Sequence, residues 1–477
     1  MKIFHRRRPW RRQKTAFLGA FAFAAVASFA VVAAAPVWPR RVIMVSIDGL
    51  KPEYYLNADK YGLKIPFIRR VLREGAWSRG MRGVFPTVTY PTHTSMVTGV
   101  NPGAHGIVTN AAWDPLERNM GGWRWYSQDI RRPALWKLAA EKKLKVGLVA
   151  WPVTVGAQAA ERIPEIWRAG TPDDVKLMRA LSTRGLLDKI AARFPDFYRG
   201  LTPPTNHNGA LGDAAVYMLE TLKPQLLLLH LEDVDHEEHE KGPFTPPVFR
   251  SIEDADAQLA RLYDASRKAG TWGETAMIIV SDHGFARTSW TIHPGVLLAK
   301  AGLVSFESGD KSRAGMITAL RNRAKISDWK AIILAAGGMG YIYIKEGTGR
   351  DIEAKVLSLL RPLVGAPNSG IKRIYGAEEI KALGGDPKAF LAIEAAPGYM
   401  ISGGYRGDYR TPATLKGMHG YSPDDPRMLA SFLVYGPMVR GGEIKKPRVI
   451  DLAPTIAKWL GLDLKGAEGS PLPILLK

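Results

Sequence analysis

The sequence predicts an α/β fold, a mostly parallel sheet with helices on both faces. Three observations predict it. Arg41–Ile47 (RVIMVSI), Gln225–Leu231 (QLLLLHL) and Thr275–Ser281 (TAMIIVS) are continuous apolar runs rich in branched residues, the pattern of strands covered on both sides. Segments of helical character lie between them, and such alternation gives parallel neighbours. Each run leads into aspartates: Asp48, then Asp233 and Asp235, then Asp282. In open α/β sheets ligands bind beyond these carboxyl ends.

Taken in order, the chain opens with a basic head, Lys2, Arg6–Arg8, Arg11, Arg12 and Lys14, followed by an apolar core at Ala16–Ala35. Residues 1–39 therefore read as a signal peptide or as an uncleaved membrane anchor. Either way the rest is exported, to a periplasmic or extracellular location. Residues 40–297 form the first part of a catalytic α/β domain. Within it, Ile65–Ala76, Pro91–Thr98, Pro133–Lys143, Asp173–Phe194, Gly212–Leu222 and Pro247–Ala269 are expected helices, and Val146–Ala150 a strand. Residues 298–400 break the rhythm with Gly340–Ile344, Asp351–Leu360 and Leu391–Ile393 and read as an inserted α+β, cap-like subdomain. Residues 401–477 complete the catalytic domain with a strand at Ser431–Tyr435 and a helix at Asp451–Leu460, capped by Asp451.

Composition narrows the chemistry. The 477 residues contain no cysteine, which excludes disulfides, zinc fingers, iron–sulfur clusters and thiol catalysis. A net charge of +21 favours phosphate-rich partners or simply keeps the surface soluble.

Any metal site must use His, Asp and Glu. Several carboxylates gathered at buried strand ends repel one another and pay desolvation, and divalent cations remove that cost. Three histidines are placed to help. His283 adjoins Asp282, His239 lies four residues after Asp235 on one helical face, and His419 is flanked by Gly417 and Gly420. Asp and His ligands without Cys suit two zinc or similar ions. Thr89 precedes Pro91 at an expected helix start, where free N–H groups favour an anion. A hydroxyl there can ionise and attack phosphorus.

These segments together resemble the nucleotide pyrophosphatase/phosphodiesterase family of the alkaline phosphatase superfamily. Five ordered motifs carry the resemblance: Val45–Gly49, Phe85–His93, Gly106–Asn110, Asp235 and His239 before Gly242-Pro243, and Ser281–Gly284 with His419-Gly420-Tyr421. The resemblance implies an alkaline-phosphatase-like sheet and two zinc ions. Asp235, His239 and His419 would hold one. Asp48, Asp282 and His283 would hold the other, which also meets Thr89. It further implies that Thr89 is the nucleophile of a phospho-threonine intermediate. Asn110 and a backbone N–H near Thr89 would meet a phosphoryl oxygen. The substrate would be a small phosphodiester or nucleotide-like molecule, with no specific nucleic-acid recognition.

The chain also departs from the family pattern. Tyr90 replaces a phenylalanine and is expected to keep an aromatic wall for substrate. Thr92 replaces an asparagine and Glu238 a glycine. His230 falls near a base-stacking position and is a second substrate-binding candidate. Asp233, His236, Glu237 and Glu238 read as outer groups or a solvated face, His93 and His105 as structural hydrogen-bonders. His207 and His293 are candidate pocket residues. Trp113, Trp123, Trp125 and Tyr126 read equally as an aromatic wall or as core. Two other readings stay open: a phosphomonoesterase or phosphonate hydrolase on the same metals, and an inactive anion-binding surface protein.

Overall fold

The computed structural model describes residues 38–116, 122–166, 172–201, 207–306, 326–474 and 476. The expected targeting segment lies outside these residues except for Trp38 and Pro39. Among the described residues no helix is long and apolar enough to cross a membrane.

The main sheet has eight strands, in the spatial order Gly442–Glu443, Ala76–Trp77, Phe432–Tyr435, Thr275–Val280, Arg41–Ile47, Leu226–Leu231, Val146–Trp151 and Glu161–Pro164. Arg41–Ile47 is parallel to both of its neighbours, while Phe432–Tyr435 is antiparallel to Thr275–Val280. Alternation along the central strands sends side chains to two cores. Ile43, Val45 and Ile47 meet the helices Pro66–Glu74, His207–Thr221 and Pro246–Lys268. Val42 and Met44 meet Thr89–Thr98, Leu135–Glu141 and Leu452–Leu460. Burial on both faces is why these strands read as unbroken apolar runs.

Register then aligns the strand ends. Ser46 stands opposite both His230 and Val280. Asp48, Glu232 and Asp282, each two residues further on, therefore emerge side by side at one edge. Gly49 turns the chain there with φ +72°, and a Cβ at this position would stand 2.7 Å from Glu238 Oε2 and 3.3 Å from Asp235 Cα.

Residues 298–400 contribute a four-stranded antiparallel sheet, ordered Ala331–Ala336, Met339–Ile344, Leu391–Ala395, Ile371–Gly376. Its core runs on into Phe85, Met418 and Tyr421, and Val37–Lys477 makes one compact unit.

Several local expectations change; the helix expected from Gly212, for one, begins at His207. The helix expected over Asp173–Phe194 is two, Pro172–Leu181 and Leu186–Arg193, because Gly185 adopts φ +71° between them. The helix expected from Pro91 starts at Thr89. Asp451 precedes its helix, but its carboxylate turns back to accept N–H groups from Arg448 and Ser470.

Replacing Gly49 with alanine should cost about 1–2 kcal/mol from the left-handed backbone alone, plus whatever displacing Glu238 adds. Urea unfolding of Gly49→Ala against the parent reads this; equal midpoints would show that the turn is not held in this conformation.

Candidate metal centre

Three aspartates converge at the aligned strand ends, and in each the two oxygens have different surroundings. Asp48 Oδ2 accepts from His230 Nε2 at 3.0 Å. Asp282 Oδ1 accepts the N–H groups of His283 (3.0 Å) and Gly49 (3.3 Å). Asp235 Oδ2 lies 3.4 Å from His239 Nε2. The opposite oxygens, Asp48 Oδ1, Asp282 Oδ2 and Asp235 Oδ1, are buried and accept no hydrogen bond. Burial, with the charges of Asp282 and Asp235 added, pushes the Asp48 carboxyl well above the ordinary carboxylate range.

The imidazoles show the complementary pattern. His239 Nδ1 donates to Gly417 O at 3.0 Å, His283 Nδ1 to Gly284 O at 3.2 Å and His419 Nδ1 to Thr87 O at 3.1 Å. A carbonyl only accepts, so each Nδ1 carries a proton, and in the neutral ring that leaves Nε2 with the lone pair a metal ligand needs. Burial, then the neighbouring His283 and His239, hold His419 well below the usual imidazole range. His283 Nε2 lies 3.3 Å from Asp48 Oδ1 and 3.0 Å from Asp282 Oδ2. Gly420, at φ +86°, lets this segment approach Ala336: a Cβ there would stand 2.0 Å from its carbonyl oxygen.

The donor atoms form two groups, Asp48–Asp282–His283 and Asp235–His283–His419, each within 4.8 Å. His283 belongs to both, its ring stacked on His419 at 3.6 Å; His239 joins the second group through Asp235. Lone pairs on three histidines and three unsatisfied carboxylate oxygens fit a pair of divalent cations. The two ligand trios expected from the resemblance are brought together, but His283 stands between them rather than with one.

Thr89 is the first residue of its helix and is 6% exposed at the cavity wall. Val88 precedes the helix, extended and with no side-chain cap, which leaves the Thr89 hydroxyl 3.4 Å from His283 Nε2. Asn110 lines the same cavity and accepts the Tyr90 N–H through Oδ1 at 2.9 Å. Its NH2 group is thus the end left for a ligand, and the Tyr90 N–H is already engaged.

The other singled-out residues divide by packing. Tyr90 is not on the cavity wall: it is fully buried, edge-on to Trp123 at 5.1 Å and packed with Ile107 and Val153. Trp123 takes the wall position instead. His230 does line the cavity, but both ring nitrogens are bonded, to Asp48 and, at 2.8 Å, to Glu165. Against the effect of burial, those two carboxylates hold its pKa well above the usual imidazole value. Glu238 is buried, not solvated, and accepts from the Tyr54 hydroxyl. Asp233 accepts the Asn208 N–H. His93 bonds Thr89 O and Ser46 Oγ, and His105 bonds Ser95, as structural groups do. His207, His236 and Glu237 line the cavity; His293 is bonded to Thr411 away from it. Thr92 bonds back to Val88 O. Trp113 and Tyr126 are 39% and 46% exposed, Trp113 lying against Tyr343, and Trp125 packs inward.

The cavity measures about 710 Å³. No described residue of 298–400 lines it; the inserted sheet meets the site through Ala336 and Gly337, packed against the His419-Gly420 segment. Glu165 and Glu232 were not foreseen as wall residues. Glu165 sits in no motif; Glu232 could have been found from its place directly after a buried strand.

The model of the type I phosphodiesterase / nucleotide pyrophosphatase family matches residues 42–422. Human ectonucleotide pyrophosphatase/phosphodiesterase family member 1 is 25% identical over 263 residues, 52% of this chain and 24% of the relative. Human family member 5 is 28% identical over 257 residues, 52% of this chain and 46% of the relative. Bovine bis(5'-adenosyl)-triphosphatase ENPP4 is 24% identical over 253 residues, 53% and 49% of the two chains. The matched part thus spans a quarter to a half of these relatives. Among solved structures, inactive murine ectonucleotide pyrophosphatase/phosphodiesterase 5 in complex with AMP aligns with a TM-score of 0.61 at 22% identity, covering 90% of this chain and 97% of that one. The shared fold is the one the resemblance implied. The chain belongs to the type I phosphodiesterase/nucleotide pyrophosphatase family.

Proposed function

We propose that this protein hydrolyses phosphodiester or pyrophosphate bonds of small, nucleotide-like molecules, with two divalent cations, zinc by preference, and Thr89 as nucleophile. One observation carries the reading. Three buried carboxylate oxygens that accept no hydrogen bond, and the inward Nε2 atoms of three histidines, gather beside a threonine hydroxyl at a helix start, 3.4 Å from His283 Nε2. The family relatives are named for this chemistry, and a neighbour of the same fold binds AMP.

Asp48, Asp282 and His283 would hold one cation, and Asp235, His239 and His419 the other. Bound cations would neutralise phosphoryl charge and make the hydroxyl more acidic. Thr89 Oγ1 bonds to phosphorus as the bond to the leaving oxygen breaks, giving a phospho-threonine ester. Water then cleaves that ester and restores the hydroxyl. The Asn110 NH2 group donates to a non-bridging oxygen, where charge builds in the transition state. Basic residues and an apolar stretch before residue 39 make export part of the proposal.

Zinc-loaded protein should turn over bis-(p-nitrophenyl) phosphate, lose that activity to a chelator and regain it with zinc. Thr89→Ala should lower kcat by about 10³-fold or more, while Thr89→Ser keeps part of it. Metal-independent turnover, or full activity in the alanine variant, would overturn the reading. A monoester rate exceeding the diester rate would transfer it to a phosphomonoesterase. Asn110→Ala should cost about 10²–10³ in kcat, measured at saturating substrate; an unchanged kcat would remove Asn110 from the mechanism. Fractionation of a bacterium expressing the whole chain should place it in the periplasm or membrane; recovery from the cytosol with an intact N-terminus would contradict export.

A further inference from the structure

His230 stands on the strand Leu226–Leu231, directly opposite Ser46 and two positions before Asp48 comes level. Its ring is 1% exposed, between the Asp48 and Glu165 side chains at 5% and 6%. Nε2 lies 3.0 Å from Asp48 Oδ2 and Nδ1 lies 2.8 Å from Glu165 Oε2. Each ring nitrogen thus has one carboxylate oxygen at hydrogen-bond distance. The ring cannot easily rotate, because His93 abuts it at 4.3 Å and 61°. His93 is itself bonded to Thr89 O and Ser46 Oγ.

Glu165 comes from the loop after the edge strand Glu161–Pro164, so the contact reaches across the sheet from its edge to its central strand. The consequence falls on Asp48. With Oδ2 committed to His230, only Oδ1 faces His283 and the cavity, and that oxygen accepts no hydrogen bond. A carboxylate free of this tie can rotate or offer both oxygens. Second-layer hydrogen bonds of this kind fix ligand orientation and set metal affinity.

We infer that Glu165 and His230 are a positioning pair, holding Asp48 as a one-oxygen ligand for the cation it would share with Asp282 and His283. The inference rests on the two-cation reading above. Glu165, His230 and Glu232 also offer donor atoms within 4.8 Å of one another, but Glu165 lies at direct hydrogen-bond distance from the ring while Glu232 is 4.0 Å from Nδ1. A third ion there is therefore an outcome for the experiment to find, not the reading adopted.

Zinc stoichiometry and dissociation constants of the full chain, measured by chelator competition, test the pair without relying on turnover. The parent should bind two ions. Glu165→Ala and His230→Leu should each weaken one of them by about 10–100-fold and leave the other unchanged. Glu165→Gln should recover most of the loss, since its amide oxygen still accepts from Nδ1–H. His230→Gln should do the same by donating to Asp48. Adding Glu165→Ala to either His230 variant should cost nothing further, because Glu165 acts through the ring. The two glutamine variants, and His230→Gln combined with Glu165→Ala, keep the test open if an apolar variant does not fold.

Equal weakening of both ions, no weakening of either, or full additivity in the double variant would overturn the pair. So would a third ion in the parent that Glu165→Ala removes. A parent that binds no zinc overturns the two-cation reading itself, and this inference with it.

Discussion

Asp48 and Asp282, at the carboxyl ends of neighbouring parallel strands, meet Asp235 from the first turn of the helix Asp233–Lys241, and each retains one oxygen without a hydrogen-bond partner. Like charges gathered out of water raise their own energy, and protein hydrogen bonds satisfy only one oxygen of Asp48 and one of Asp282. Much else in the site answers to that constraint. The histidines direct their protonated nitrogens to backbone carbonyls and their lone pairs inward. The glycines at 49 and 420 let backbone segments come close enough to close the ring of ligands. The arrangement is costly for a bare protein and well suited to cations.

The polar groups behind the ligands are connected as well. His93 ties the backbone of Thr89 to Ser46 on the central strand, so the helix carrying the hydroxyl and the strand carrying Asp48 share one anchor. His230 ties Asp48 to Glu165 at the far edge. Satisfied polar networks of this kind restrict a buried site to one geometry, and their cost when broken is high. Groups placed by such a network need little rearrangement when a ligand arrives.

The departures from the family pattern gain meaning from their packing. Tyr90 packs against Trp123, so the aromatic surface of the cavity wall is supplied by a different residue. Where a base-stacking ring is usual, His230 is committed to two carboxylates. Glu165, Glu232, Asp233 and Glu237 line the cavity beyond the ligands, with Arg250 as the basic residue there. This wall is thus built differently from the cluster of aspartates and histidines, although both belong to one cavity.

The fold and the residues of the candidate site were legible because their signals are local. Burial on both faces writes a strand as an unbroken apolar run, and the residue after its end is fixed by the chain itself. Asp48, Asp282 with His283, and Asp235 with His239 four residues on, all follow from that rule. What the sequence could not decide is which side chains share a hydrogen bond across long stretches of chain. Glu165 reaches His230 over an intervening strand, His283 lies between two ligand groups, and Tyr90 disappears beneath Trp123. Sheet order, register and side-chain packing decide those contacts, and no spacing along the chain records them.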